Sequence, residues 1–304
     1  MKKYLALILA LCMVFALCAC GSKTEAPATT AATEAATEAT TEAPVEMTAA
    51  EKAAAESEIR RAIALLFDRN YIVTDIAQGG QVPASSFVPM GMTDADGSEF
   101  YKNAGHNDGF VGYYDVSEEA YEDNFAQAIE ILSKYYDYDA ATGKFTNFPT
   151  LTYLYNTSEG HKAIGEYLSA TLASVGITMN LENQEWNTFL NTRKAGDYSM
   201  ARNGWLADFN DPISFLDMWL TGGGNNDAQY SVAEYDAAIA EAKASADPAV
   251  RMAAMHKAED IIMGRDWALG PIYFYTQKYM MKENVDGAFY TPLGYFVFSY
   301  ASQN

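Results

Sequence analysis

An α/β fold is what the residue pattern of this 304-residue chain predicts, and three observations carry that reading. Between residues 150 and 204 the hydrophobic period switches repeatedly between two and about 3.6, giving strand, helix and strand in turn. Asp211-Pro212 and Asp247-Pro248 each place a capping aspartate before a proline suited to a first helical turn. The cysteines, Cys12, Cys18 and Cys20, all precede residue 21, so no disulfide framework staples the rest of the chain. A chain that is 49% hydrophobic and 20% charged must then hold by packing alone.

At the amino terminus, Lys2 and Lys3 precede an uncharged run from Tyr4 to Ala19, shorter than the roughly 20 residues a membrane-spanning helix needs. That is the pattern of an export signal. It closes on Leu17-Cys18-Ala19-Cys20, which resembles the lipobox of bacterial lipoproteins. The resemblance implies a lipoprotein signal peptide over 1–19, cleavage before Cys20, and lipid on its sulfur. The alternative is an ordinary signal peptide with an incidental cysteine. Residues 20–50 are rich in Thr, Glu, Ala and Pro, and Thr24 to Pro44 lacks aromatic and large aliphatic side chains. Such a segment buries too little to offset chain entropy, and is expected to be a disordered tether.

A helix is expected from about Glu51 through Asp68, with Ile59, Ile63, Leu66 and Phe67 on one face. Residues 79–116, rich in Gly, Pro, Ser and Asp, read as a long irregular segment. Ser117 is expected to cap a helix with Tyr121, Phe125, Ile129 and Leu132 at helical spacing. Thr150 to Tyr155 reads as a strand, Glu159 to Val175 as a helix ending at Gly176, and Ile177 to Leu181 as a strand. A unit of that length implies a parallel pair. Helix Glu185 to Lys194 and strand Tyr198 to Gly204 extend the pattern, and Asp211-Pro212 opens a helix through Trp219. Helices Val232 to Ala244 and Ala249 to Met263 come next, then aromatic strands Pro271 to Gln277 and Gly294 to Ala301. One cooperative core is expected over about 117–277.

Charge and motif absences narrow the function. A net charge of −20 disfavours nucleic acid, whose phosphates such a field repels. No G-x-S-x-G, H-E-x-x-H, Walker or G-x-G-x-x-G motif occurs, so neither cofactor nor catalytic residue is assigned. His106, His161 and His256 lack neighbouring ligands at recurring spacing, and no metal site is expected. Asp208 with Asp211 is a possible acid–base pair of the kind an acidic protein offers often.

The stretch from Glu182 to Trp219 is the most informative, above all its core Arg202-Asn203-Gly204-Trp205-Leu206-Ala207-Asp208. It resembles the oligopeptide- and dipeptide-binding proteins of ABC importers. The likeness extends through Ile59-Arg60-Arg61-Ala62-Ile63, Asp68-Arg69, Leu154-Tyr155-Asn156-Thr157-Ser158, His161, Ala258-Glu259, Pro271-Ile272-Tyr273 and Pro292-Leu293-Gly294-Tyr295-Phe296. It implies the second lobe of a type II periplasmic-binding-protein-like fold, with C-terminal strands that would normally return to the first lobe. Residues 51–304 are then a solute-binding lobe. Longer members have two lobes closing over the peptide. Here the tether stands where most of the first lobe would be built, and the strands from about Gly294 are expected to leave an exposed aromatic edge.

By the same resemblance Asp208 matches the aspartate that pairs with a peptide's α-amino group, a charge-assisted bond. The competing role is support of the turn before Asp211-Pro212. Trp205 matches a side-chain pocket wall, or is a plain core tryptophan. Arg202 and Arg193 match basic residues reaching toward the peptide carboxylate, against a merely solvated role. His161 matches a pocket histidine, against a helix N-terminal residue. The implied function is a lipid-anchored substrate-binding component of an ABC peptide importer, not an enzyme. It would sit on the extracytoplasmic face of the bacterial cell membrane, held there by lipid at Cys20. Its partners would be peptides and the permease subunits. Two alternatives stand beside it: an interaction lobe that binds no peptide alone, and a secreted hydrolase using Asp208 and Asp211.

Overall fold

The computed structural model describes residues 47–106, 109–291 and 293–304; Cys20, the export signal and the tether up to residue 46 lie outside the described residues. The chain enters helix α1, Ala49–Leu65, through a capping box. Thr48 Oγ1 accepts the Glu51 N–H while the Glu51 carboxylate accepts the Thr48 N–H at 2.8 Å. The expected run to Asp68 is cut short. Asp68 Oδ1 instead accepts the N–H groups of Asn70 and Tyr71, opening a new turn, α2, Arg69–Tyr71, which widens into a π-helical turn over Ile72–Ala77. An aspartate competes for backbone donors, and so begins helices better than it continues them.

The described residues of 79–116 are mostly irregular, as expected, with the short β1, Val82–Pro83, a Thr93–Glu99 bridge and a kinked 3₁₀ segment, Phe100–His106. The next helix, α3, Tyr121–Leu132, starts later than the sequence suggests. Ser117 does not cap it; the Ser117 N–H donates to Asp115 Oδ1 at 2.8 Å, in a turn of its own. A small hairpin, β2 (Tyr138–Asp139) with β3 (Lys144–Phe145), adds to the elements the sequence pattern marks.

The organising unit is β4 (Leu151–Asn156), α4 (Glu159–Ser174) and β5 (Met179–Gln184). The strands are parallel, in register from Leu151 opposite Met179 to Asn156 opposite Gln184. Helix α4 stops at Gly176, whose φ is +82°; a Cβ there would lie 2.5 Å from the Phe145 carbonyl oxygen, so only glycine makes this exit. Helix α5, Trp186–Ala195, then carries the chain across β4 to β6, Met200–Ala201, giving the order β5-β4-β6. The strand expected over Tyr198 to Gly204 is thus short, though Ser199 and Arg202 N–H still bond to Thr152 and Leu154 carbonyls on either side of it.

Asp211 Oδ1 accepts the Ile213 N–H and starts α6, Ile213–Leu216, which tightens to a 3₁₀ turn over Asp217–Trp219. Helices α7, Ala233–Ala244, and α8, Pro248–Glu259, pack on each other, with Asp247 capping α8. A π-helical turn, Asp260–Arg265, ends α8. Strand β7, Tyr273–Phe274, pairs antiparallel with β1. The C-terminal region holds β8 (Val285–Asp286), β9 (Phe289–Tyr290), β10 (Phe296–Val297) and β11 (Ser302–Gln303), paired as β9–β10 and β8–β11. Tyr295, Phe298 and Tyr300 there are 61%, 64% and 74% exposed, which is the aromatic edge the sequence implied. Among the described residues no helix is long and apolar enough to cross a membrane.

Buried side chains form two clusters. One joins α1 and α3 to the β4–α4–β5 unit; the other joins α6, α7 and α8 to Val88, Met92 and Phe100 of the irregular segment. Tyr113 packs against both. The core therefore reaches back to Ala62, beyond the 117–277 expected for it. The irregular segment is held by an acid at the end of α8. Glu259 has no exposed surface, and its Oε1 accepts the N–H groups of Phe87 and Val88, both at 2.8 Å. Its Oε2 has no hydrogen-bond partner among the described residues.

Burial pushes Glu259 up from 4.5 to about 7, against the pull of those two N–H bonds. A carboxyl raised on folding stabilises the fold below its unfolded value and loses that contribution as pH rises through its folded value. Glu259→Gln keeps the Oε1 acceptor and removes the titration. Thermal melting from about pH 4.5 to 8 should show the wild type losing stability relative to Glu259→Gln as pH rises from about 4.5 to about 7, with the difference levelling off above that. A pH-independent difference contradicts the assignment.

Candidate functional site

The order β5-β4-β6 makes β4 a branch point, since the chain leaves it toward β5 on one side and returns to β6 on the other. In open parallel sheets ligands bind at such points, outside the carboxyl ends of the strands. Two of the sequence-predicted residues lie there. His161 is in the first turn of α4, just past the end of β4, with Nδ1 3.4 Å from the Asn156 carbonyl oxygen. Arg202 follows β6 and donates from Nη2 to the Tyr275 hydroxyl at 3.0 Å. Burial, then the Arg202 charge, holds His161 below its ordinary value, so the imidazole is neutral near pH 7.

Tyr275 is a site residue that sequence reasoning misses. The signal for it is the alternation of Tyr273 and Tyr275 in the aromatic run from Pro271, with rings 5.2 Å apart and nearly perpendicular. Tyr153 faces the same charge: burial pushes its hydroxyl up to about 12, and Arg202 partly opposes that. It stays a neutral donor or acceptor at physiological pH. Gly204 keeps this corner open, since a Cβ there would lie 2.9 Å from Arg202 Nη2.

Arg193 plays a different part. Its side chain is 11% exposed, and its Nε donates to Asp227 Oδ2 at 2.7 Å, where Asp227 is 7% exposed. Nη1 reaches the Arg202 carbonyl at 3.2 Å and Asn203 Oδ1 at 3.0 Å. The guanidinium also lies 4.9 Å from the Phe189 ring centre. Its donors hold the backbone that presents Arg202.

The second half of the site is the loop from Gly204 to Asn210. Trp205 Nε1 donates to the Ser214 carbonyl at 2.7 Å, and the Asp208 N–H donates to Ser214 Oγ at 2.8 Å. Ser214 is buried at the start of α6, so it pins both residues to the second core cluster. Trp205 is half-buried against that cluster. The Asp208 side chain is exposed and has no hydrogen-bond or ion-pair partner among the described residues. Leu206 and Phe209 beside it are 60% and 50% exposed. Arg202 and Asp208 are six residues apart, so the two halves lie within about 20 Å of each other.

Asp211 does not share in this. Its Oδ1 accepts the Ile213 N–H and its Oδ2 is 2.8 Å from Arg251 Nη2 in a half-buried ion pair. Both oxygens are engaged, so Asp208 and Asp211 are not a pair of free carboxyls. Among the described residues no group of three or more His, Cys, Asp or Glu side chains converges to hold a metal.

Comparison with known proteins gives the context for this geometry. The model of the bacterial extracellular solute-binding proteins, family 5 Middle, matches residues 26–227. The chain belongs to this family. It is 32% identical over 247 residues to the dipeptide-binding protein DppE of Bacillus subtilis, a match covering 81% of this chain and 42% of that one. Among solved structures, Haemophilus influenzae OppA in complex with RPPGFSPFR superposes with a TM-score of 0.61 at 32% identity, over 76% of this chain and 42% of OppA. This chain thus spans about 40% of the length of these relatives, and its fold is part of a type II periplasmic-binding-protein-like architecture. A solved peptide-binding protein of a peptide ABC transporter shares the fold at a TM-score of 0.59 and 22% identity, over 96% of its own length.

The two arginines should separate in a stability measurement. Arg193→Ala leaves Asp227 buried and uncompensated, so urea unfolding should lose about 3–5 kcal/mol. Arg202→Ala removes a bond to an exposed hydroxyl and should change stability by about 1 kcal/mol or less. Equal losses would contradict the division of roles.

Proposed function

We propose that this chain is a lipid-anchored substrate-binding component of an ABC peptide importer, binding extended oligopeptides through their α-amino group and backbone. The observation that carries the reading is the exposed, unpartnered Asp208 carboxylate, on a loop held by Ser214 and flanked by the exposed Leu206 and Phe209. A carboxylate so placed offers a charge-assisted bond to an ammonium, and apolar flanks accept side chains of varied kind. Arg202, with Tyr275 and the neutral His161, would receive the carboxylate end or backbone carbonyls. Trp205 would wall a side-chain pocket, and Arg193 would act through the backbone of Arg202 and Asn203. The relatives, a dipeptide-binding protein and an OppA bound to a nonapeptide, support the ligand class.

A second reading has its own support. The chain spans about 40% of its relatives, and the aromatic edge around Tyr295, Phe298 and Tyr300 is open. A lobe that meets a partner chain, and binds no peptide alone, would fit both observations. The hydrolase reading is disfavoured by the engagement of Asp211 with Arg251.

Asp208 is exposed, so its pair with an ammonium stays wet, and screened pairs contribute about 0–1 kcal/mol. Calorimetric titration with tripeptides should therefore give a dissociation constant of about 1 mM, near 4 kcal/mol. N-acetylating the peptide should weaken binding up to about fivefold, and Asp208→Asn should erase that difference. A variant that still discriminates acetylated from free peptide as its parent does contradicts the role of Asp208; absence of binding by the parent favours the interaction lobe. Anchoring is tested apart from binding: Cys20→Ser should release the protein from membranes or leave it uncleaved, and a processed, membrane-bound variant refutes the lipid anchor.

A further inference from the structure

Asn-Gly occurs once in the sequence, at Asn203-Gly204, where the chain leaves β6 for the loop that carries Trp205 and Asp208. Both residues are exposed. The Gly204 N–H donates to Asn203 Oδ1 at 2.8 Å. A carbonyl bond is about 1.2 Å long, so the Gly204 nitrogen lies no more than about 4 Å from Asn203 Cγ. The same Oδ1 accepts from Arg193 Nη1 at 3.0 Å, and Arg193 is itself held by Asp227. The side-chain nitrogen Nδ2 of Asn203 has no hydrogen-bond partner among the described residues.

These are the parts of an intramolecular acyl transfer: a nitrogen nucleophile, a carbonyl carbon within reach, a donor on the oxygen that becomes charged, and an untethered leaving group. We propose that Asn203 is a self-modification site, at which the Gly204 nitrogen closes on Cγ and the asparagine becomes isoaspartate and aspartate. Solvent hydroxide takes the proton from the Gly204 nitrogen. The nitrogen then bonds to Cγ, and an electron pair moves onto Oδ1 against Arg193. Its return breaks the Cγ–Nδ2 bond, and Nδ2 takes a proton from water and leaves as ammonia. One water molecule opens the resulting succinimide ring. Cleavage at Cγ gives aspartate, and cleavage at the backbone carbonyl carbon gives isoaspartate. The balance is one water consumed and one ammonia released, with nothing oxidised or reduced.

Position decides which asparagine reacts. Gly204 brings no side chain against the closing ring, whereas a Cβ there would lie 2.9 Å from Arg202 Nη2. Asn103 precedes an alanine, and its Nδ2 is tied to Asp94 Oδ2 at 2.6 Å. Asn226 is buried, with Nδ2 donating to the Leu220 and Tyr230 carbonyls. The product carries a new carboxylate next to Arg202. In the isoaspartate form the backbone is also one methylene longer between β6 and Trp205. The chemistry stands on this geometry alone; only its effect on a ligand rests on the peptide reading, where the added charge would compete for Arg202 with a peptide carboxylate.

The test is timed incubation of the full chain at neutral and mildly alkaline pH, followed by proteolysis and fragment mass spectrometry. Residue 203 should gain one dalton at least about tenfold faster than any other asparagine, as separable isoaspartate and aspartate products. The gain should quicken as hydroxide rises. The folded chain should react at least as fast as the same chain in urea, because the fold supplies the Arg193 donor. Asn203→Gln, whose ring would need a sixth member, should stay unchanged at this position. The masses are read without peptide, so the result is independent of what Asp208 binds. A rate at residue 203 no greater than at other asparagines, a folded chain slower than the chain in urea, or an equal mass gain in Asn203→Gln would each overturn the proposal.

Discussion

The ion pair of Arg193 with Asp227 is the constraint on which the candidate site depends. Two charges taken out of water are costly unless each meets well-placed partners, and here they do. Arg193 Nε takes Asp227 at 2.7 Å, and its remaining donors take the Arg202 carbonyl and Asn203. Helix α5, the exit from β6 and the loop containing Asp227 are thereby fixed to one another. Because a guanidinium is planar and its donors point in set directions, the bond to Asp227 also determines where Arg202 stands.

What that constraint serves is a sheet branch point. The loops after β4 and β6 diverge there, leaving His161 and Arg202 at the strand ends and Tyr275 against Arg202. Ser214 performs the corresponding task for Trp205 and Asp208 from the other core cluster. Polar groups that anchor the loop are buried or bonded, whereas Asp208, Leu206 and Phe209 are left to solvent. The division is physical. Groups engaged within the fold set geometry, and groups left free are available to a ligand.

Much of this is legible in the sequence where the signal is local. The parallel β4–β5 pair, helix α4 ending at Gly176, and the cap at Asp247 all arise from short-range patterns, and each appears within a few residues of its expected bounds. Asp68 shows the limit of periodicity, since an apolar face continues up to it while its carboxylate begins a new turn. The features that escape sequence reading are pairings across long stretches of chain: Arg193 with Asp227, Arg202 with Tyr275, and Glu259 with the N–H groups of Phe87 and Val88. Nothing in a single sequence marks which of its 40 acids meets which donor. The two-residue strands are overestimated for a related reason, because aromatic alternation reports a half-buried surface and says nothing about how much of it finds a ladder partner.

The central claim is that peptide lies across the loop from Arg202 to Asn210 at the strand ends. Paramagnetic broadening of amide resonances by a tripeptide carrying a spin label on its last side chain, added near about 1 mM, tests it most directly. The account predicts broadening confined to residues 202–210, the first turn of α4 and the neighbourhood of Tyr275. Broadening centred instead on the exposed aromatic residues Tyr295, Phe298 and Tyr300, with residues 202–210 unaffected, would contradict it.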